Sequence, residues 1–208
     1  MSASHSVASI VLAGGKAKRL GKDKLLEMVG GRPMLQRVVD NLSPVSRHIL
    51  LVVAQGQGCP AVEARQARVD CMQDVYPGKG ALGGIYTGLS ATYSRHGLVV
   101  AADMPFLNSD LLRHLVSLST DFDVVMPRVG GDIEPLHAVY SQACLPAIRD
   151  ELERSQLQIR VFLEKVRVRY VGEAEIDRFD PRHLSFFNVN TPEDLMKAQE
   201  IAAGIGST

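Results

Sequence analysis

Short apolar runs that stop at glycine, aspartate or proline alternate along this chain with stretches whose apolar residues recur every three or four positions. The first run, Ala8-Ser9-Ile10-Val11-Leu12-Ala13, is β-branched and ends at Gly14-Gly15, as a buried strand feeding a loop does. Pro33 then stands where a helix can begin, and Met34, Leu35, Val38, Val39 and Leu42 give that helix one apolar face. The pattern predicts a strand over 48–54, helices over 61–67 and 81–93, and a fully apolar strand over 98–102 that ends at Asp103. Asn108 can cap the helix that follows. Further strands are expected over 123–127 and 136–141, with the Gly130-Gly131 turn between them, then helices over 143–154 and 159–165. Residues 166–171 alternate as a half-exposed strand does, and Thr191-Pro192-Glu193-Asp194 opens a last helix as N-cap, N1 proline and early acids.

Strand and helix alternate through the first half, which predicts an α/β fold: a doubly wound, mostly parallel sheet with helices on both faces. Such sheets bind ligands in the crevice beyond the carboxyl ends of their central strands. The two apolar runs with notable ends are those that stop at Gly14 and Asp103.

Composition narrows this to one domain. The chain has 208 residues, 46% hydrophobic and 22% charged, enough for one sizeable core and short for two. Lys+Arg and Asp+Glu balance at 23 each, which supports neither a nucleic-acid surface nor a membrane surface. The first residues lack a basic region, and their apolar run stops before the length of a signal peptide or a membrane span, so a cytoplasmic enzyme fits. Cys59, Cys71 and Cys144 are odd in number, widely spaced and free of any CxxC, and read as ordinary thiols.

Against that neutral background, LAGGKAKRLGKDK (12–24) is a local cationic device. Lys16, Lys18, Arg19, Lys22 and Lys24 face a single acid, Asp23, on a loop that leaves a strand with free backbone N–H groups. That combination suits an anion, phosphate first; a flexible turn with solvated charges is the plainer alternative. From Gly14 onward this loop fits neither GxxxxGK[ST] nor GxGxxG. Asp103, followed by Met104-Pro105, should present its carboxylate at a strand end, where it could hold Mg2+ with substrate phosphates or serve as a turn aspartate. Gly78, Gly80, Gly83, Gly84 and Gly88 crowd a loop entering a helix, which close approach to a flat ligand would explain, as would tight helix packing. His137 reads as a packed strand residue. Asn188 and Asn190 are either turn residues or amide hooks for a polar heterocycle.

Taken together these segments resemble the molybdenum cofactor guanylyltransferase family nearly end to end. LAGGKAKRLGKDK matches its LAGGxxxRMGxDK with Leu20 for methionine, GALGGIYTGL matches GPLAGIxxGL with Ala81 and Gly83 for proline and alanine, AADMP matches a CDxP motif with Ala102 for cysteine, and FFNVNTPEDL matches FxNxNTPED. EPLHAVY and LERSQLQIRVFLEKV are similar to its middle and late segments. The opening motif is common to many nucleotidyltransferases; the glycine and Asn-Val-Asn segments narrow it. The resemblance implies a Rossmann-like nucleotidyltransferase fold, with a nucleotide-binding part over about 7–107 and an acceptor-binding part over about 108–203. It implies Mg2+, GTP and molybdopterin cofactor, and transient contact with molybdenum-insertion proteins or molybdoenzymes. Leu12, Ala13, Gly14, Gly15, Gly83 and Gly84 would line the nucleotide, with Asp74 at the guanine. Arg19 and Lys24 would bind phosphates, Asp103 would hold the metal, and Asn188 and Asn190 would meet the pterin. A cytidylyltransferase for the same cofactor, a nucleotidyltransferase for a sugar phosphate or other small phosphate, and a binding adaptor without turnover share much of this pattern. Retention of both Lys24 and Asp103 argues against the adaptor.

Overall fold

The computed structural model describes residues 7–14 and 24–205, with the side chain of Lys24 outside that description. In chain order the elements are β1 (Ala8–Leu12), β2 (Met28–Val29), β3 (Arg32–Pro33), α1 (Met34–Leu42), β4 (His48–Val53), β5 (Arg68–Gln73), α2 (Gly80–Ala91) and β6 (His96–Ala101). They continue as α3 (Ser109–Ser117), β7 (Val124–Val129), β8 (Asp132–Ile133), β9 (His137–Ser141), α4 (Leu145–Glu153), α5 (Ile159–Leu163), β10 (Val168–Val171), α6 (Glu173–Ile176) and α7 (Pro192–Ile205). One 8-stranded sheet runs in the order β10-β7-β9-β6-β1-β4-β5, with β8 paired to β7. β1 is parallel to β4 and β6, β4 to β5 and β7 to β10, while β9 is antiparallel to β6 and β7. This is the mostly parallel, helix-covered sheet that the alternation predicts.

β1 lies inside the sheet and is covered on both faces, which is why it reads as one apolar run. Its side chains alternate between two cores. Val11 joins Leu35, Val38, Leu51 and Val100 on the face covered by α1 and α3, and Ile10 joins Leu50, Leu82, Ile85 and Val99 on the face covered by α2 and α4. Helix α2 closes on β1 because Gly84 and Gly88, one turn apart, leave room for strand side chains. A Cβ at Gly88 would stand 2.3 Å from Ile10 Cγ2, and one at Gly84 3.1 Å from Leu12 Cδ2. A third, smaller cluster of Val29, Met34, Phe106, Val189 and Ala198 seats α7 and the β2–β3 hairpin.

The sequence signals for helix starts hold locally. Asn108 Oδ1 accepts from the N–H groups of Asp110 and Leu111 at 2.9 and 3.0 Å. At α7, Thr191 Oγ1 accepts from the Asp194 N–H at 3.1 Å, while Asp194 Oδ2 accepts from the N–H groups of Asn190 and Thr191.

Two expectations are corrected between β4 and β5. No helix forms over 61–67: residues 54–67 hold neither helix nor strand, although Val62, Ala64 and Ala67 pack against the core as their spacing suggested. The expectation of ordinary thiols also fails, because Cys59 and Cys71 form a disulfide with Cα atoms 6.0 Å apart. Strand β5, which the sequence reading left out, returns the chain alongside β4 and brings the two cysteines together. Cys144 remains free and buried. Among the described residues, no helix is long and apolar enough to cross a membrane.

Candidate active site

The carboxyl ends of β1, β4, β5 and β6 open onto a cavity of about 950 Å³. Backbone hydrogen bonds extend the ladder past the strand ends and fix its floor: the Ala13 N–H donates to Val52 O at 2.8 Å and the Ala102 N–H to Leu12 O at 3.2 Å. Leu12, Ala13 and Gly14 form one wall. A Cβ on Gly14 would lie 2.7 Å from Ala54 N and 3.0 Å from Val53 C, so a side chain there would force β1 and β4 apart at the cavity edge.

Asp74 stands just beyond β5 and also lines the cavity. Its N–H continues the sheet by donating to Val53 O at 2.8 Å. Its Oδ1 accepts from the Tyr76 N–H at 2.9 Å and from the buried Thr87 hydroxyl of α2 at 2.7 Å. Its Oδ2 accepts no hydrogen bond among the described residues, so this carboxylate has one oxygen committed to the loop and one left for the cavity. The loop then enters α2 through Gly78 and Gly80, whose φ of 80° and 61° lies in the left-handed region that favours glycine. Gly78, Gly80, Ala81 and Gly84 line the cavity, and the first turn of α2 carries no acid. A helix N-terminus at the cavity favours negative charge there.

Asp103 lies just past the end of β6 and also lines the cavity. Its backbone carbonyl accepts from the Val189 N–H at 3.0 Å, which brings Asn188 and Asn190 to the same cavity. Asn188 Nδ2 donates to Phe186 O at 3.1 Å. From behind, Arg37 Nε donates to Pro105 O at 3.2 Å and its Nη1 to Val29 O at 3.2 Å, with the guanidinium over the Phe106 ring. Burial holds the Arg37 pKa below the ordinary arginine value. His137 is fully buried with its ring 4.7 Å from that of Phe186, and desolvation pulls its pKa down to about 4. It is a neutral packed residue, as the sequence reading favours.

Leu12, Ala13, Gly14, Gly84, Asp74, Asp103, Asn188 and Asn190 are therefore brought to one cavity from widely separated segments. Gly15 and Arg19 lie outside the described residues, as do Lys16, Lys18, Lys22 and Asp23, and the side chain of Lys24 with them. Gly83 is not among the lining residues: a Cβ there would meet Tyr76 O at 2.9 Å, so this glycine serves the loop packed behind the cavity. The glycine-rich segment thus divides, with Gly78, Gly80 and Gly84 at the cavity and Gly83 and Gly88 in packing. Sequence reasoning missed Gln55, Pro77 and Leu136 as lining residues and Thr87 as the partner of Asp74. Pro77 and Thr87 lay within the glycine-rich segment and Leu136 within EPLHAVY, whereas Gln55 carried no signal.

No group of three or more His, Cys, Asp or Glu residues suited to a metal ion occurs among the described residues. A single hard carboxylate at a strand end, beside space for phosphates, fits Mg2+, which keeps waters and takes one or two carboxylates together with substrate oxygens.

Comparison with known proteins places these features in context. Residues 9–170 match the model of the MobA-like NTP transferase domain. The chain is 35% identical over 193 residues to a probable molybdenum cofactor guanylyltransferase of Pelotomaculum thermopropionicum, covering 93% of this chain and 92% of that one. It is 33% identical over 199 residues to a molybdenum cofactor guanylyltransferase of Desulfosudis oleivorans, covering 93% and 95%. Among solved structures, molybdopterin-guanine dinucleotide biosynthesis protein A of Archaeoglobus fulgidus superposes with a TM-score of 0.80 at 27% identity, over 95% of this chain and 100% of that one.

Proposed function

Because the chain belongs to the MobA-like NTP transferase domain family, we propose that it transfers GMP from GTP to the terminal phosphate of molybdenum-molybdopterin cofactor, giving molybdopterin guanine dinucleotide and pyrophosphate. The observation that carries the reading is the convergence of Gly14, Asp74, Asp103, Asn188 and Asn190 on one cavity at the strand ends.

The acceptor phosphate is already anionic at neutral pH and attacks the α-phosphorus in line. A phosphorus–oxygen bond forms to the acceptor as the bond to the bridging α–β oxygen breaks, and pyrophosphate leaves with that electron pair. No strong general base is required, so catalysis falls to positioning and charge neutralisation. The Leu12–Gly14 backbone and Asp74 hold the nucleoside, Asp74 accepting from the donor edge of guanine through Oδ2. The N-terminus of α2 favours the negative charge of the triphosphate, and Arg19, Lys24 and the Gly15 backbone are assigned to bind it and the departing pyrophosphate, as the family resemblance implies. Asn188 and Asn190 orient the acceptor. When bound at Asp103, Mg2+ supplies the positive charge that neutralises phosphate oxygens in the transition state. In this reading the nucleotide-binding part spans about 7–107 and the acceptor-binding part about 108–203. The reaction belongs in the cytoplasm, with GTP and the molybdopterin cofactor as substrates and molybdenum-insertion proteins or molybdoenzymes as transient partners.

The deciding experiment offers each nucleoside triphosphate with cofactor-loaded acceptor and identifies the dinucleotide by mass spectrometry. A guanine dinucleotide and pyrophosphate are expected. A cytosine dinucleotide would transfer the assignment to a cytidylyltransferase, and binding without product would leave an adaptor.

A further inference from the structure

A parallel pair such as β4 and β5 is usually joined by a crossover helix. Here the connection, 54–67, is irregular, and its two halves are held differently. The far half is fixed to α1. Gln36 Nε2 donates to Glu63 O at 2.7 Å, Gln36 Oε1 accepts from the Glu63 N–H at 3.2 Å, and Ser43 Oγ accepts from the Gln66 N–H at 3.1 Å. The near half leaves the cavity at Ala54 and Gln55 and turns at Gln57, whose N–H donates to Ala54 O at 3.0 Å. Two residues later Cys59 is bonded to Cys71.

Cys71 lies in β5 opposite Leu51 of β4, three residues before Asp74. β5 is the edge strand, paired with β4 alone and only partly buried. One covalent bond therefore ties the turn that follows Ala54 and Gln55, two cavity-lining residues, to the neighbouring strand that delivers Asp74 to the same cavity. The Gln57 side chain adds only long contacts, 3.3 Å from the Ala54 N–H and 3.5 Å to Ala13 O.

The geometry points to Cys59–Cys71 as a reversible thiol–disulfide exchange site that takes a dithiol reductant and sets how firmly the Asp74 side of the cavity is held. Cys59 is exposed and Cys71 is partly shielded, so the Cys59 sulfur is the one open to attack. A thiolate of the dithiol bonds to Cys59 Sγ, the protein S–S bond breaks, and Cys71 leaves as a thiolate that takes up a proton. The second thiolate of the dithiol then attacks its partner sulfur in the mixed disulfide and releases Cys59. The protein gains two electrons and two protons, and the dithiol departs oxidised. Cys144 stands apart, fully buried, with its thiol pushed up to about 12 by burial. In a cytoplasmic protein a disulfide of this kind is characteristically transient and redox-sensing.

The link to GTP rests on the proposed function; the link to the walls does not. The full chain, oxidised or treated with dithiothreitol, is followed by amide hydrogen exchange and by calorimetric titration with GTP. Reduction is expected to speed exchange in both 53–57 and 70–76 by about tenfold, leaving 8–12 unchanged, as local opening of an edge does. It should weaken GTP binding by about fivefold, about 1 kcal/mol, and reoxidation should restore both. The Cys59→Ser/Cys71→Ser double variant should behave as the reduced protein and ignore dithiothreitol, whereas Cys144→Ser should respond like the parent. Three titratable thiols in protein treated with a mild oxidant would overturn the inference. So would unchanged exchange on reduction, or faster exchange with equal GTP affinity. Responsive exchange with GTP bound by neither form would instead remove the nucleotide reading and leave the exchange site standing.

Discussion

Asp74 carries a structural duty and a recognition duty on its two oxygens, and paired substitutions can separate them. Oδ1 accepts from the Tyr76 N–H at 2.9 Å and the Thr87 hydroxyl at 2.7 Å, holding the loop to α2, while Oδ2 is left for the cavity. Asp74→Ala removes both bonds. Hydrogen bonds to a charged acceptor contribute about 1.5–3 kcal/mol each, and since both partners are only part-buried as pairs, the low end applies: about 3 kcal/mol of stability is lost. Asp74→Asn keeps an oxygen at the Oδ1 position and should cost only about 1 kcal/mol. It also puts an NH2 where Oδ2 faced the cavity. Guanine presents N1–H and an exocyclic amine, so donor would meet donor, and the lost charged bond plus the unpaired groups amount to about 3 kcal/mol, roughly 10²-fold in kcat/KM for GTP. Cytosine presents acceptors beside its amine and loses less, so the preference for GTP over CTP, about 10² or more in the parent, should collapse in Asp74→Asn. The assay is kcat/KM for both nucleotides under one Mg2+ and acceptor concentration, beside urea unfolding of each variant. If Asp74→Asn keeps parental kcat/KM for GTP within about twofold, Asp74 is a loop anchor and the base is read elsewhere.

Asp103→Asn should keep the circular dichroism of the parent and lose at least about 10²-fold in turnover, because an amide lacks the charge that holds Mg2+; near-normal turnover at limiting Mg2+ would reject this assignment. Gly88→Ala drives a Cβ to 2.3 Å from Ile10 Cγ2 and should cost about 1–3 kcal/mol in urea unfolding, with Ile10→Val recovering part of it. A Gly88→Ala chain as stable as the parent would refute the close packing of α2 on β1. His137, pulled from 6.5 to about 4 by burial, contributes stability that is complete above pH 6.5 and is lost as pH falls towards 4. That slope amounts to at most about 3 kcal/mol, and His137→Leu should flatten it in urea midpoints measured from pH 7 to 4.5. Dithiothreitol should lower unfolding stability by about 3 kcal/mol, the loop-closure value for a crosslink of this span, and leave the double serine variant unaffected.

What the sequence made legible was local. β1 and β6 are covered on both faces and read as apolar runs; Asn108 and the Thr191–Asp194 box act within a few residues of themselves. The cavity residues were legible where chemistry and strand end coincide, at Gly14 and Asp103. What stayed hidden depends on contacts between distant segments. Residues 61–67 read as a helix, yet Val62, Ala64 and Ala67 pack against the core from an irregular stretch, because the Gln36 amide, the Ser43 hydroxyl and a disulfide fix the backbone instead. Cys59 and Cys71 are 12 residues apart with no motif between them, and only the parallel return of β5 makes them neighbours. Gly83 and Gly84 are adjacent in one motif, but successive helix positions point about 100° apart, so one faces the loop and the other the cavity.

The site has to hold two phosphates in line, and near-attack geometry tolerates errors well under an ångström. In the proposed reading Asp103 is the common reference for both substrates. Asp103 lines the cavity just past the end of β6, while its carbonyl accepts from Val189, the residue between the two candidate acceptor amides. Any shift of the 188–190 segment therefore strains a backbone bond to Asp103, the residue proposed to hold the metal. Packing stiffens the same junction from behind: Phe187 lies 6.1 Å from Phe106, Phe186 lies against the buried His137, and Arg37 binds Pro105 O while its guanidinium covers Phe106. The nucleotide wall is referenced to the same strands, since Ala13 and Asp74 donate their N–H groups to Val52 O and Val53 O at the end of β4. The cavity residues on both sides are thus tied by backbone hydrogen bonds to the ends of the central strands. The edge strand β5, which carries one cysteine of the disulfide, is separated from β6 and Asp103 by β1 and β4.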